Sequence, residues 1–320
     1  MTYSLTLTQE QIDIVINAYL NYEVPITNYY TLFRAKIKFS TLTIYTTGKV
    51  LIQGKDSLII YNDINTMFGL ESKHDVESPN KKEIEDSEDI ILFKSYIGND
   101  EVGTGDFFGP IIVCSACVNE DNYLRVKRLG VKDSKAITSD EKILSIGEEL
   151  ITFVPHSVSI LDNTKYNEII SKPNMNMNRI KAIMHNNVMN KFLVKYPNLE
   201  YNNIILDDFC GEDKYYEYLS KSKNVITNII FETKAENKYL SVACASIIAR
   251  YFFLKEIEKI SKESGFEIQK GASNKVDIQA SQIIKAKGTN YLSQIAKLNF
   301  KNFDKAKKIL HNQLNNKIKF

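Results

Sequence analysis

The apolar positions of residues 1–70 follow two different spacings. Thr8 and Gln11 form a capping-box pattern at the start of a helical stripe. The apolar members of that stripe are Ile12, Val15, Ile16 and Leu20. The runs YYTLFRAKIKFSTLTIYTTGKVLIQG and SLIIYND are rich in β-formers and broken by Gly48 and Gly54. The pattern predicts a small α+β module made of one helix and successive hairpins.

Residues 71–90 (ESKHDVESPNKKEIEDSEDI) are acidic and almost free of apolar side chains, which is typical of a solvated linker.

In residues 91–320, five apolar runs predict strands: ILFKSYIG, PIIVCSACV, ITFVPHSVSIL, NNIILDDF and VITNIIFET. Two longer segments have helical spacing: NRIKAIMHNNVMNKFLVKY and KYLSVACASIIARYFFLKEIEKI. This order predicts an α/β domain with a mixed sheet flanked by helices.

Composition narrows the class of protein only moderately. A hydrophobic content of 43% and a charged content of 25% indicate a soluble globular protein, and the net charge of +2 does not announce a nucleic-acid ligand. No apolar run approaches the ~18 residues of a membrane span. The N-terminus lacks the basic region of a signal peptide, so a cytoplasmic location is expected.

The four cysteines include one C-x-x-C pattern, Cys114 and Cys117, which can indicate a zinc site or redox chemistry. Cys114 and Cys117 lie three apart on a predicted strand, so their side chains point to opposite faces and cannot readily share a metal. Cys210 and Cys244 stand alone. We expect all four to be buried free thiols.

Carboxylates recur where the predicted strands end. Asp100 and Glu101 lie in YIGNDEVGTGDFFGPIIVCSACV, Asp207 follows NNIIL, and Glu236 follows IIFETKA. Acids near glycines usually lie in solvated turns, but acids at strand ends on one edge of an α/β sheet can converge on a ligand. Clustered carboxylates repel one another, and Mg²⁺ or Mn²⁺ would relieve this repulsion. The residues alone leave both interpretations open.

A series of motifs resembles one family. GNDEVGTGDFFGPIIVCSACV, GVKDSKAIT, KAIMHN, ILDDF, TKAE, SVACASIIARYFFL and KGAS occur in the order found in ribonuclease HIII, of the type 2 ribonucleases H. YTTGKVLIQG resembles the family's N-terminal domain, which is similar to the TATA-box-binding protein. Gly103-Thr104-Gly105 stands where ribonuclease HII enzymes carry Gly-Arg-Gly. Asn299 and Phe303 depart from the histidine and threonine expected there.

The resemblance implies an RNase H-like catalytic domain over residues 91–320, a linker over 71–90 and a substrate-binding domain over 1–70. It implies endonucleolytic cleavage of the RNA strand of RNA/DNA hybrids with two Mg²⁺ or Mn²⁺ ions, leaving 5′-phosphate and 3′-hydroxyl ends. We expect a monomer. Two alternatives are ribonuclease HII-like incision at single embedded ribonucleotides and a non-catalytic nucleic-acid-binding protein.

The resemblance also carries over the family's four acids, as Asp100, Glu101, Asp207 and Glu236. Asp208 competes with Asp207, which we choose because the family's acid directly follows the strand. Asp100 is expected to bridge both ions, Glu101 and Asp207 each to help hold one, and Glu236 to help hold the second.

Since neighbouring strand residues point apart, Asp100 and Glu101 are expected to share a site only at a strand break, between Gly98 and Gly103. In the family, the backbone of Gly103, Thr104 and Gly105 reads the ribose 2′-hydroxyl, which distinguishes RNA from DNA. We expect glycine there because a side chain would hold the backbone off the minor groove. Four further residues are candidates for phosphate contacts: Ser134, Lys135, Arg34 and Lys49.

Overall fold

The chain forms two compact units, Met1–Lys94 and Ser95–Phe320. The computed structural model describes residues 2–26, 31–69, 94–131, 137 and 139–318, with side chains to residue 313. The predicted linker 71–90 lies outside the described residues, as do Ser134 and Lys135. The division into residues 1–70, 71–90 and 91–320 therefore stays a prediction.

The N-terminal unit is a four-stranded antiparallel sheet with helices. Its strands β1 (Thr2–Thr6), β2 (Thr31–Ile37), β3 (Ser40–Tyr45) and β4 (Lys49–Gly54) lie in the order β1-β4-β3-β2. Helix α1 (Gln9–Tyr19) begins with the predicted Thr8–Gln11 capping box and buries the predicted stripe.

The run SLIIYND was wrongly predicted as a strand, because it begins helix α2 (Ser57–Met67). Ile60 and Ile64, four residues apart, are both buried, so helical spacing decides the structure of this short apolar run.

The C-terminal unit is built on a mixed five-stranded sheet, as predicted. Its strands are β5 (Tyr96–Val102), β6 (Ile111–Val118), β7 (His156–Leu161), β8 (Asn203–Asp207) and β9 (Ile229–Glu232). They lie in the order β7-β6-β5-β8-β9. Neighbouring strands are antiparallel from β7 to β5 and parallel from β5 to β9.

Helices cover both faces of this sheet. They are α3 (Glu120–Arg128), α4 (Asp140–Phe153), α5 (Asn163–Ile170), α6 (Met177–Lys195), α7 (Glu212–Tyr218), α8 (Leu240–Ser264), α9 (Asn274–Ile295) and α10 (Lys301–Ile318). The predicted strand ITFVPHSVSIL is shorter than expected, because residues 151–153 complete α4.

The two buried helices pack on opposite faces of β5. On one face, a Cβ at Gly98 would lie 2.1 Å from the backbone nitrogen of Val242 in α8, so glycine is needed for this close approach. On the other face, Ile97 packs in a buried cluster with Met189 and Phe192 of α6. Consecutive residues of β5 therefore face different helices.

The cysteines are free, as expected, and Cys114, Cys117 and Cys244 are buried. The expectation of burial is wrong for Cys210, which is half-buried. Cys117 packs in the cluster that contains α6 residues, whereas Cys114, three positions earlier on β6, points to the opposite face of the sheet. No helix among the described residues is long and apolar enough to cross a membrane.

Candidate active site

The two adjacent acids of β5 lie within the strand and reach different faces of the sheet. Asp100 pairs with Cys114 and Glu101 with Val113 in the antiparallel ladder, and β5 continues to Val102. The expected break between Gly98 and Gly103 is therefore wrong. The alternation of a regular strand instead directs Asp100 towards α8 and Glu101 towards α6.

Asp100 lies beside Asp207 at the edge where β5 and β8 run parallel. Pairing between these strands ends at Asn99 and Leu206, so the next residue of each strand is an aspartate on the same face. Burial, followed by the charges of Glu101 and Asp207, raises the pKa of the Asp100 carboxyl to about 7. The two carboxylates therefore concentrate negative charge at this edge of the sheet.

Two hydrogen bonds fix the orientation of the Asp100 carboxylate. The Glu101 N–H donates to Asp100 Oδ1 over 2.8 Å. The Ser246 side chain in α8 also hydrogen-bonds to Asp100, and both contacts lower its pKa against the effect of burial. Ser246 was not singled out in the sequence, although it lies in the buried helix predicted there.

Glu236 enters from the turn that follows β9. It is 4% exposed and belongs to the short 3-10 helix Ala235–Asn237. The Ala235 N–H donates to Asp207 Oδ1 over 2.9 Å, which attaches this turn to the end of β8. Lys234, which precedes the turn, adopts a left-handed conformation with φ 54°. The structure thus places Glu236 directly after the residue that binds Asp207.

Asp208 has a different environment from Asp207. Its Oδ1 accepts hydrogen bonds from the N–H groups of Cys210, over 3.1 Å, and Gly211, over 2.7 Å. Such contacts stabilise the turn that leads into α7. The carboxylate of Asp208 is therefore engaged in local structure, whereas that of Asp207 faces Asp100.

The carboxylate of Glu101 is held at both oxygens by α6. Lys181 Nζ lies 2.5 Å from Oε1, and His185 Nε2 lies 2.9 Å from Oε2. Burial by itself would raise the pKa of Glu101, but the hydrogen bonds and charges of His185 and Lys181 lower it below its ordinary value. Glu101 therefore stays ionised although it is largely buried.

One aromatic ring supports both partners of Glu101. Phe209 lies 3.9 Å from Lys181 Nζ in a cation–π contact and stacks on His185 with ring centroids 5.7 Å apart. Both residues belong to the motif KAIMHN, but no role was predicted for its lysine and histidine. Their spacing of four residues on a predicted helix would have placed them on one face, which was the available signal.

The Gly103-Thr104-Gly105 turn contains two glycines with different requirements. Gly103 is buried with φ 87°, and a Cβ there would lie 2.1 Å from the Pro110 carbonyl oxygen. Gly105 is exposed, has no positive φ, and has no atom within 4 Å of its hypothetical Cβ. The fold itself therefore explains glycine at position 103, but it does not explain glycine at position 105.

The four expected phosphate contacts do not appear at this edge of the described sheet. Ser134 and Lys135 lie outside the described residues. Arg34 and Lys49 belong to β2 and β4 of the N-terminal unit. All four assignments stay predictions.

The acids of the C-terminal unit have the chemistry of a magnesium or manganese site. Within the described residues, no three side chains of His, Cys, Asp or Glu converge into a closed set of metal ligands. An open site still fits Mg²⁺, which is commonly bound through one or two carboxylates and keeps several waters. Burial, followed by the charges of Glu101 and Asp207, raises the pKa of Asp100, and a divalent cation would favour the ionised carboxylate against both effects.

Known protein families and relatives match this chain over most of its length. The family model described as Ribonuclease HII matches residues 97–303, and the model Domain of unknown function (DUF3378) matches residues 3–58. Ribonuclease HIII of Bacillus pumilus (strain SAFR-032) is 41% identical over 279 residues, covering 87% of this chain and 90% of the relative. The chain belongs to the ribonuclease HIII family. Ribonuclease HIII of Macrococcus caseolyticus (strain JCSC5402) is 39% identical over 88% of this chain and 90% of the relative.

Solved structures support the same family assignment. Bst-RNase HIII in complex with Mn²⁺ is 35% identical, with a TM-score of 0.66 covering 97% of this chain and 99% of that chain. Ribonuclease H2 from Pyrococcus horikoshii OT3 is 24% identical, with a TM-score of 0.53 over 68% of this chain and 98% of that chain, and shares the fold. The mixed sheet described above is the fold of a ribonuclease HIII.

Proposed function

We propose that this ribonuclease HIII family member is a metal-dependent endoribonuclease that cleaves the RNA strand of RNA/DNA hybrids. The observation that carries this function is the Asp100–Asp207 pair at the parallel edge of the sheet, in a chain that matches ribonuclease HIII sequences over most of its length. Its cofactor is Mg²⁺ or Mn²⁺, and a ribonuclease HIII relative has been solved with Mn²⁺.

Asp100, Asp207 and Glu236 are the acids that we assign to the metal ions, with Glu101 completing the set from the other face of β5. When bound, two ions supply Lewis-acid stabilisation of the phosphodiester and of an activated water. Hydrolysis then breaks the bond between phosphorus and the 3′ oxygen, leaving 5′-phosphate and 3′-hydroxyl ends. Two contacts described above support the assignment of Asp207 rather than Asp208, whose oxygen caps the next turn.

The residues around these acids act by positioning them. Lys181 and His185 hold Glu101 ionised and fix both of its oxygens. Ser246 orients Asp100 from α8. Because the strands that carry Asp100 and Asp207 are set by a sheet and a long buried helix, these two carboxylates need little rearrangement to receive ions.

The exposed part of the Gly103-Thr104-Gly105 turn is the surface that we assign to recognition of the RNA strand. The space around Gly105 is open, so the backbone there can approach a ribose closely and offer its polar groups to a 2′-hydroxyl. The glycine at position 105, which packing within the protein does not require, supports this assignment.

The N-terminal unit offers a second surface for nucleic acid. One row of side chains crosses its sheet from β2 to β1, because each member pairs with the next on the neighbouring strand. The row consists of Arg34, Thr43, Leu51 and Ser4. The alternate residues of β2–β4 are fully buried, which leaves this row on the opposite face. The cations on this face, half-buried Arg34 and exposed Lys49, suit contact with phosphates.

Replacing Arg34 and Lys49 together by glutamine in the full chain tests the N-terminal surface. We expect weaker hybrid binding and a plot of log affinity against log salt that is shallower by about 1 per lost phosphate contact. Unchanged affinity and unchanged salt dependence would contradict a role for this face.

Substitution of Asp100 by asparagine tests the catalytic assignment. We expect Asp100→Asn to lose cleavage of a labelled hybrid in Mg²⁺ and Mn²⁺ while keeping hybrid affinity, because binding depends on other surfaces. Asp121→Asn, which changes an exposed acid of α3, should cleave as the wild type does. Cleavage by Asp100→Asn at the wild-type rate would remove Asp100 from the active site.

We further propose that the enzyme acts as a monomer in the cytoplasm. Free buried thiols suit a reducing compartment, which supports the location. Light scattering at micromolar concentration would test the oligomeric state, and a dimer mass would contradict a monomer.

A further inference from the structure

Lys297 is a lysine with no exposed surface, in the segment between α9 and α10. Its Nζ donates hydrogen bonds to the carbonyl oxygens of Asp106, over 2.9 Å, and Gly109, over 2.5 Å. Both acceptors belong to the connection between β5 and β6, which begins with the Gly103-Thr104-Gly105 turn. Burial lowers the pKa of the Lys297 amino group to about 7, and the hydrogen bonds to the two carbonyls offset the cost of burying this polar group.

The same connection is bound along its backbone by neighbouring segments. The Lys297 N–H donates to the Phe107 carbonyl over 2.8 Å, and the Gly109 N–H donates to the Ile295 carbonyl over 2.9 Å. The Phe107 N–H donates to the Gly271 carbonyl over 2.9 Å. The base of the connection, residues 106–109, is therefore held by two separate segments of the chain.

The tip of the connection differs from this fixed base. Thr104 is only partly buried, and Gly105 is exposed with open space around it. A backbone group that recognises a substrate has no rotatable side chain with which to adjust its position. Its position must therefore be set by the residues that hold the adjacent backbone, and a functional site needs its groups held to within about 0.5 Å.

We propose that Lys297 is a positioning residue for RNA recognition: through the carbonyls of Asp106 and Gly109 it sets the backbone of the Gly103–Gly105 turn against the ribose 2′-hydroxyl. This inference rests on the proposed function of that turn and goes beyond it, since Lys297 touches neither the acids nor the exposed surface. A methionine would fill the same space but leave both carbonyls without the Nζ donor.

The test compares Lys297→Met with the wild type on two substrates. One is an RNA/DNA hybrid, and the other is the same hybrid with single 2′-deoxy replacements placed in turn around the main cleavage site. The ratio of cleavage rates with and without the critical 2′-hydroxyl measures discrimination, and it is independent of the fraction of protein that is folded. Lys301→Met removes an exposed lysine from the start of α10 and serves as the matched control.

We expect Lys297→Met to lower this ratio between about tenfold and a hundredfold, as displacement of a positioned group does. Lys301→Met should keep the wild-type ratio. A Lys297→Met enzyme that cleaves both substrates more slowly by the same factor, or that cleaves both at wild-type rates, would overturn the inference.

A second variant covers the case in which Lys297→Met does not fold. Asn163 of α5 donates to the same Gly109 carbonyl over 2.9 Å, so Asn163→Ala should lower the ratio in the same direction. An unchanged ratio in that variant would then overturn the inference.

If the wild type cleaves no hybrid, the proposed function fails separately. The ratio of dissociation constants for the two hybrids, measured for the wild type and the variant, then decides the role of Lys297.

Discussion

Replacing Gly103 and Gly105 separately by alanine distinguishes their roles. We expect Gly103 to be required by the fold and Gly105 to be required for contact with the substrate. At Gly103, alanine would carry a left-handed φ of 87° and place Cβ 2.1 Å from the Pro110 carbonyl oxygen. The left-handed conformation costs ~1–2 kcal/mol and overpacking ~1–3 kcal/mol, which gives a loss of about 2–5 kcal/mol. For a unit of this size, at ~2–4 °C per kcal/mol, Tm should fall by roughly 4–20 °C.

Gly105→Ala should behave in the opposite way. Its backbone has no positive φ and its Cβ meets no atom within 4 Å. Alanine therefore restricts the unfolded chain at no cost to the native state and should raise stability by ~0.4–1 kcal/mol. The added methyl group would separate the backbone from the ribose, so hybrid cleavage should fall by about tenfold, comparable to the loss of one good hydrogen bond.

The assay pairs thermal unfolding with initial rates of hybrid cleavage for both variants. Gly105→Ala should unfold at or above the wild-type temperature while cleaving slowly, and Gly103→Ala should unfold at a lower temperature. The reasoning is refuted if Gly105→Ala cleaves the hybrid at the wild-type rate, or if it is destabilised as strongly as Gly103→Ala.

Three further predictions follow from single contacts. Asp207→Asn should lose cleavage and keep its melting temperature, because the amide oxygen can still accept the Ala235 N–H. Asp208→Ala should keep cleavage and lose about 1 kcal/mol of stability with the hydrogen bonds of its turn; the reverse result would exchange the two acids. Lys181→Met should cost about 3 kcal/mol in urea unfolding, because it leaves Glu101 buried without its cation, and adding Glu101→Gln should recover part of that loss. A double variant no more stable than Lys181→Met would argue against the ion pair. Burial lowers the pKa of His156 in the folded protein, so the unfolded chain binds a proton at this residue at a higher pH than the folded chain does. Stability is therefore lost as the pH falls from ~6.5, the ordinary pKa of histidine, towards the lower pKa of the folded state. Urea unfolding at pH 7 and pH 5 should show a smaller acid loss for His156→Gln than for the wild type, and equal losses would contradict the prediction.

The positions of Asp207 and Glu236 relative to the strands could be predicted from the sequence, because both acids follow apolar runs, while their role as metal ligands stays a prediction. Asp207 ends β8, and Glu236 lies just after β9, as expected. The expected strand break at Asp100 and Glu101 was wrong because it assumed that both acids must reach the site from one face. Their different environments depend on which helix covers each face of β5, and strand alternation alone does not determine that.

The supporting contacts were harder to predict because they join distant parts of the chain. Lys181 and His185 are separated from Glu101 by 80 and 84 residues. Lys297 reaches Gly109 over a separation of 188 residues, and a lone lysine in a lysine-rich chain gives no signal. The two glycines of the turn look equivalent in sequence, and the structure distinguishes them by backbone conformation, burial and the position of the Pro110 carbonyl.

Cleavage of three end-labelled duplexes in Mg²⁺, and then in Mn²⁺, tests the central claim most directly. The substrates are an RNA/DNA hybrid, DNA with a single embedded ribonucleotide, and plain DNA. We expect multiple cuts in the RNA strand of the hybrid, little incision at the lone ribonucleotide and none in DNA. Efficient incision at the lone ribonucleotide with the hybrid left intact, or no cleavage of any duplex with either metal, would contradict the account.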